Sequence, residues 1–163
     1  MITLGVDPGI ALLGYGVVRG DDDPRLVSHG VIETHPHQSM PERLMLLFDG
    51  LTAIIAAHHP DVMAVEQLFF ARNVTNALTV GQARGVVLLV AAQHNLPVFE
   101  YKPSEVKLAV AGHGAADKIQ MQTMVQMVLG LDAVPRPDDA ADALAVAVCH
   151  VYSSRLSRFA GRQ

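Results

Sequence analysis

The stretch Val134-Pro135-Arg136-Pro137-Asp138-Asp139-Ala140-Ala141-Asp142-Ala143-Leu144-Ala145-Val146-Ala147-Val148 reads as a loop that turns into a helix. Pro137 ends the loop, and Asp138 is placed to cap the helix, because a carboxylate there accepts orphan backbone N–H groups. Asp139 and Asp142 lie three apart and share a face of the first turn. Beyond Asp142 the helix is apolar on nearly every side, which marks it as packed into the body of the protein. A carboxylate entering such a helix is costly unless something pairs with it. The helix dipole accounts for Asp138, but it fades beyond the first turn and leaves Asp142 unexplained. Asp139 and Asp142 are therefore candidate ligands for a hard cation, with further carboxylates to come from elsewhere in the chain.

Working outward, the N-terminal side supplies strands. Ile2 to Asp7 is a short apolar strand that ends in an acid, before the turn signal Pro8-Gly9. Gly14 to Arg19 is a second strand, Gly20 to Pro24 a turn carrying Asp21-Asp22-Asp23, and Leu26 to Thr34 a third strand. Two hairpin-like connections in a row give an antiparallel start. Residues 41–58 repeat Leu44, Leu47, Phe48, Leu51, Ile54 and Ile55 at helical spacing, behind Pro41. Val62 to Glu66 is a buried strand, again ending in an acid, and Leu68 to Asn73 is a loop with two aromatics.

Residues 74–94 form a long helix with Gly81, Ala83 and Gly85 clustered, which suits close approach of another helix, in the same chain or in a second subunit. Leu96 to Tyr101 is a fifth strand. Ser104 caps a short helix to Ala111, and Asp117 to Leu129 is another helix closed by Gly130. This order implies an α/β fold with a five-stranded mixed sheet and helices on both faces. Ligands of such sheets sit beyond the carboxyl ends of strands, where Asp7 and Glu66 both lie. If the first and fourth strands are neighbours, the two acids face one crevice, which the helix bearing Asp139 and Asp142 can close.

Composition narrows the class. A chain of 163 residues, half apolar and 17% charged, is one globular domain with a sizeable core. We set its boundaries at 1–152, with a basic tail at 153–163 that carries Arg155, Arg158 and Arg162. The sequence lacks a run fit to span a membrane, and Met1 to Asp7 lacks the features of a signal peptide. A single cysteine, Cys149, implies a reducing, cytoplasmic setting. The net charge of −4 argues at first against a nucleic-acid binder, but two divalent ions on the acids would bring it to neutrality.

Asp7, Glu66, Asp139 and Asp142 make an oxygen-only donor set, suited to Mg²⁺ or Mn²⁺ and not to zinc. Two such ions about 4 Å apart can activate water and stabilise the leaving oxygen of a phosphodiester. Four acids in one crevice without cations would repel each other until some were protonated. Competing chemistries fare worse. There is no Gly-x-x-x-x-Gly-Lys-Ser/Thr loop, and Cys149 beside His150 mid-helix is poor geometry for a catalytic pair. His35, His37, His58 and His59 read as surface residues.

Asp7-Pro8-Gly9 with Gly14-Tyr15-Gly16-Val17, then Val65-Glu66-Gln67, Gly81-Gln82-Ala83-Arg84-Gly85 and Asp139-Ala140-Ala141-Asp142-Ala143-Leu144-Ala145, in this order and spacing, resemble the RuvC family of Holliday-junction resolvases. The resemblance covers about residues 1–152. It implies an RNase H-like fold, a homodimer formed through the 74–94 helix, and metal-dependent symmetric nicking of two opposing strands at a four-way DNA junction, leaving 5′-phosphate ends. It also implies a branch-migration partner, the RuvA–RuvB complex.

Carried over position by position, it makes Asp7, Glu66, Asp139 and Asp142 the acids that hold two divalent cations. Lys107 and Lys118 become cations near the scissile phosphate, and Phe69, otherwise an ordinary core residue, becomes an aromatic wedge in the junction. Arg72, Arg84 and Lys102 are further phosphate candidates, and Asp138 falls outside the pattern. Ile10-Ala11-Leu12-Leu13 departs from it, being apolar where the family usually has polar residues. Two other readings stand beside this one. One is an ATP-binding phosphotransferase of the actin and sugar-kinase type, suggested by Asp7-x-Gly9 and Gly14. The other is a junction-binding module without catalysis.

Overall fold

The structure is a computed structural model that describes residues 1–67 and 74–160, with the side chains of 74–76 and 156–160 left aside. Among the described residues, five strands form one sheet: β1 (Ile2–Asp7), β2 (Leu12–Arg19), β3 (Arg25–Glu33), β4 (Val62–Glu66) and β5 (Val98–Tyr101), in the order β3-β2-β1-β4-β5. β1 pairs antiparallel with β2, and β2 with β3, while β1–β4 and β4–β5 are parallel. The mixed sheet expected from the strand order is thus present. β1 and β4 are neighbours, with Val6 opposite Val65.

The two faces are covered by α1 (Met40–His58), α2 (Val74–Gln93), α3 (Pro103–Ala111), α4 (Lys118–Leu129) and α5 (Asp138–Ala160). The two-residue alternation of the strands decides which side chain faces which layer. Leu4, Val6, Met63 and Val65 point into one core with Leu47, Leu51 and Ile55 of α1 and Ala83, Val87 and Val90 of α2. Those helix positions recur three or four apart, the spacing of a buried stripe. Ala64 and Val18 point the other way, into a second core with α3, α4 and α5. α5 is buried almost all round because the sheet covers one side of it and α3 and α4 the other.

Glycines set how closely α5 lies on the sheet. Gly5 and Gly16 are cross-strand partners, and Gly14 pairs with Asp7. A Cβ on Gly5 would land on the Ala143 carbonyl, one on Gly14 on the Asp139 carbonyl, and one on Gly16 on the Leu144 side chain. Glycine inside a strand often marks such a backbone approach. Here it brings the first two turns of α5 against β1 and β2.

Several boundaries differ from the sequence expectation for physical reasons. β2 starts at Leu12, so half of the apolar 10–13 segment is strand. Leu13 is in the core, Ile10 packs against it, and the Thr34 hydroxyl donates to the Ile10 carbonyl at 2.5 Å. α3 is capped two residues earlier than expected from Ser104. Its N-cap is Lys102, whose backbone N–H donates to Glu105 Oε2 at 2.6 Å, and Pro103 occupies the first turn. α4 is capped by Asp117 and closed by Gly130 in the left-handed region, as expected.

Asp138 is not the cap of α5. The Pro137 carbonyl accepts the first helical bonds, from Ala140 and Ala141, and Asp138 is already helical. The Asp21–Asp23 turn does join β2 and β3, and it is tied down at each acid: the Met1 amino group lies 3.2 Å from Asp21, Arg155 3.4 Å from Asp22 and Arg25 2.6 Å from Asp23. Arg155, placed by the sequence in a basic tail, therefore lies on α5 against this acidic turn; α5 continues past residue 152 to Ala160. Among the described residues, no helix is long and apolar enough to cross a membrane.

Candidate active site

Asp7 is the last residue of β1 and shares its face with Gly5, two residues back, so its carboxylate looks toward α5. Glu66 is the last residue of β4, one residue beyond the Val6–Val65 pair, and shares its face with Ala64. Seating α5 on Gly14 sets the Asp139 backbone above β2, and Asp142 lies three residues on. Four acids from three distant parts of the sequence are thereby brought to one end of the sheet.

Their electrostatics show the proximity. Burial pushes the Asp7 carboxyl up to about 7, and Glu66, Asp142 and Asp139 push it in the same direction, with Lys118 opposing. Burial also raises Glu66, with Asp142 adding to it and Lys107 opposing. Burial raises Asp142, where Lys118 opposes and Asp139 and Asp138 add. Among the described residues, no three His, Cys, Asp or Glu side chains are drawn into a single cage of donor atoms. The acids share a field and a crevice, and divalent cations are what such a set takes up, since cations relieve both the burial of charge and the mutual repulsion.

Beside the acids opens a cleft of about 220 Å³, lined by Glu66 and Asp142, by Lys107 of α3 and Lys118 of α4, and floored by Val106, Met121, Ala145 and Val146. Both expected lysines are therefore in the cleft. Lys118 is held there by Asp138: its Nζ lies 3.0 Å from Asp138 Oδ2 and 3.8 Å from Asp142 Oδ2. The Asp138 bond is the first cause of a raised Lys118 pKa. Asp138 is itself fixed by Gln122 Nε2 at 2.9 Å and Arg136 at 2.5 Å. Sequence reasoning gave Asp138 a capping role; its position makes it the anchor of Lys118. The signal was present, an acid adjacent to the candidate pair Asp139 and Asp142, but nothing local names its partner twenty residues upstream.

The other expected contacts divide. Lys102 lies at the start of α3, next to Pro103 at the cleft wall. Arg84 directs its guanidinium to protein oxygens: one nitrogen donates to the Glu66 carbonyl at 3.2 Å and another pairs with the Glu100 carboxylate. Phe69 and Arg72 lie outside the described residues. Cys149 and His150 do not pair with each other. Burial raises the thiol to about 11. His150 Nδ1 is 2.8 Å from the Tyr101 hydroxyl, a cross-link between α5 and β5. His35 and His37 are exposed and stack on each other.

Comparison with known proteins agrees with this geometry. The family model described as crossover junction endodeoxyribonuclease RuvC matches residues 3–150. Crossover junction endodeoxyribonuclease RuvC of Chloroflexus aggregans is 58% identical over 161 residues, 98% of each chain. Its namesake in Thermomicrobium roseum is 55% identical over 158 residues, 97% of each chain. Among solved structures, Thermus thermophilus RuvC in complex with a Holliday junction substrate superposes with a TM-score of 0.92 at 40% identity, covering 96% of each chain. The yeast mitochondrial Holliday junction resolvase shares the fold at 16% identity, with a TM-score of 0.69. An acidic crevice at the end of an RNase H-like sheet, two lysines in the cleft beside it, and near full-length matches of this kind lead to one assignment: the chain belongs to the RuvC family of crossover junction endodeoxyribonucleases.

Proposed function

We propose that this protein resolves four-way DNA junctions by nicking two opposing strands symmetrically, leaving 5′-phosphate ends, in recombination and repair. The observation that carries the reading is the convergence of Asp7, Glu66, Asp139 and Asp142 beside a cleft that holds Lys107 and Lys118. The family is dependent on divalent metal ions. The donor set fits them, being four carboxylates with neither thiolate nor imidazole, and we assign two Mg²⁺ or Mn²⁺ ions to it. When bound, such ions supply an activated water and charge stabilisation at the leaving oxygen.

The chain's own residues do the rest. In hydrolysis, water forms a bond to phosphorus, the bond from phosphorus to the 3′ oxygen breaks, and that oxygen takes up a proton. Lys107 and Lys118 line the cleft, and in this reading their charge offsets the charge that builds on the phosphoryl oxygens. Asp138 keeps Lys118 from collapsing fully onto Asp142, since it holds the ammonium at the shorter distance. Phe69, Arg72 and Lys102 are assigned to the junction on the family pattern, Phe69 as the stacking wedge.

A homodimer supplies the second active site that paired nicks require. It is assigned to α2, where Leu78 and Leu89 are more than half exposed and Gly81 and Gly85 open onto free space along one helical stripe. A cytoplasmic setting and hand-over from a RuvA–RuvB motor complete the proposal. The relatives are nucleases, and neither the phosphotransferase reading nor the non-catalytic module is favoured by them.

The test is a fixed four-way junction, end-labelled on each strand in turn, incubated with protein and EDTA, Mg²⁺ or Mn²⁺ and run on denaturing gels. Paired nicks at symmetric positions with metal, and none with EDTA, are the expected result. A shifted but uncut junction under every condition would leave binding without catalysis and overturn the proposal.

A further inference from the structure

The peptide unit just after Glu66 is held at both ends. Its N–H, on Gln67, donates to the Tyr101 carbonyl at 2.8 Å, which extends the β4–β5 ladder one step past the strand. Its carbonyl, on Glu66, accepts from an Arg84 guanidinium nitrogen at 3.2 Å. Arg84 is in turn fixed by the Glu100 carboxylate on β5, and the Arg84 side chain is only 16% exposed. Arg84 stands on the flank of α2 beside Ala83, which is fully buried, so the helix backbone beneath it is set by the core. A guanidinium has a rigid fork of donors and can bond a carbonyl and a carboxylate at once, which a lysine ammonium does less well. Without Arg84 the Glu66 carbonyl would lose this bond, and the peptide would be held by the Gln67 N–H alone.

We propose that Arg84, clamped by Glu100, is a positioning residue for Glu66: it fixes the backbone from which the Glu66 carboxylate is aimed at the metal site. The inference rests on Glu66 being a metal ligand and gives Arg84 a role other than that of a phosphate contact. Partners behind a ligand that fix its orientation commonly change metal affinity about 10- to 100-fold when removed. The effect here is expected at the lower end, because Arg84 acts on the Glu66 main chain and not on its carboxylate.

The experiment measures Mn²⁺ binding to the full-length protein without DNA, by the loss of the free-ion EPR signal, together with junction binding in EDTA at several salt concentrations. Arg84→Ala should raise the Mn²⁺ midpoint about tenfold while junction affinity in EDTA and its salt slope stay as in the wild type. Glu100→Gln, which removes the charge that clamps Arg84, should shift the Mn²⁺ midpoint in the same direction by a smaller factor. Arg84→Lys should recover part of the loss. If Arg84→Ala fails to fold, the Glu100→Gln and Arg84→Lys midpoints decide alone. A wild-type Mn²⁺ midpoint in all of the folded variants overturns the proposal. A junction affinity that falls with a salt slope shallower by about one would return Arg84 to the phosphates. Glu66→Gln is the control: if it too leaves Mn²⁺ binding unchanged, the ligand assignment of Glu66 has failed, and not only its positioning by Arg84.

Discussion

Two clusters of acids mark this molecule, and the fold treats them in opposite ways. Asp21, Asp22 and Asp23 sit in the turn between β2 and β3, their side chains half to two-thirds exposed, each beside a cation: the chain's own amino terminus, Arg155 and Arg25. Asp7, Glu66, Asp139 and Asp142 sit at the carboxyl ends of strands and the start of a buried helix, where their nearest charges are largely each other. The first cluster is neutralised locally and remains in water. The second is left with an excess of negative charge in a partly buried crevice, with Lys107 beside it and Lys118 shared between Asp138 and Asp142. Charge alone does not distinguish a solvated turn from a cation site; burial without enough counter-charge does.

The largest expected effect separates the two clusters by chemistry. Asp7→Asn should abolish junction cleavage while leaving junction binding in place, whereas Asp22→Asn should cleave at the wild-type rate. Strand-specific nicking and gel-shift assays on the same preparations check both. A D7N protein that nicks like the wild type would remove Asp7 from the site.

The same substitution sharpens the comparison through stability. The Asp7 carboxyl is raised from 3.8 to about 7 in the folded protein. Below pH 4 it is protonated in both states and costs nothing. As pH rises from about 4 to 7 the unfolded chain ionises while the folded one resists, so the metal-free wild type loses stability over that window and the loss levels off above it. A pKa difference between the two states is worth about 1.4 kcal/mol per pH unit, so the loss amounts to a few kcal/mol. His150 works the other way, because burial lowers its pKa and an acid pH must charge it where it is buried. The informative quantity is therefore the melting temperature of D7N minus that of the wild type in EDTA. It should grow from pH 4 to 7 and shrink when Mg²⁺ is added, since cations favour the ionised wild-type site and have less to hold in the variant.

A third substitution tests how the acids come together. A Cβ at Gly14 would meet the Asp139 carbonyl, so Gly14→Ala must lift the first turn of α5 off the sheet. Overpacking of this kind costs about 1–3 kcal/mol, and it should carry the Asp139 and Asp142 pair away from Asp7. Gly81→Ala, by contrast, opens onto free space in α2 and should leave the monomer as stable or more so, by up to about 1 kcal/mol of helix propensity. Urea unfolding of the two variants, with cleavage rates beside it, gives the contrast directly.

These glycines show where sequence reading stops. The strands, the helices and their order follow from apolar periodicity and turn residues, and the four acids follow from their places at element ends. Gly14 and Gly16 read only as part of a strand, because nothing local says that a helix from the far end of the chain rests on them. The role of Asp138 is hidden for a related reason. A cap and a lysine anchor look alike in sequence, and only the placement of α4 beside α5 puts Lys118 within 3.0 Å of it. Arg84 likewise reads as a phosphate candidate until β4 and β5 bring the Glu66 carbonyl and Glu100 to it. In each case the missing information is a contact between elements distant in sequence, which spacing along the chain does not carry.

The smallest expected effect concerns the acidic turn. The Arg155–Asp22 pair at 3.4 Å has both side chains about half exposed or more, so water and salt screen it. Exposed pairs of this sort contribute about 0–1 kcal/mol. Asp22→Asn should thus lower the melting temperature slightly in dilute buffer and not measurably in high salt, with no dependence on divalent cations. Independence from divalent cations is the decisive property. If Mg²⁺ stabilised the wild type but not the D22N protein, the turn would be taking part in cation binding, and exposure with local counter-charge would no longer mark the inert cluster. Equal Mg²⁺ stabilisation of both proteins, alongside its loss in D7N, would place cation binding in the buried cluster alone.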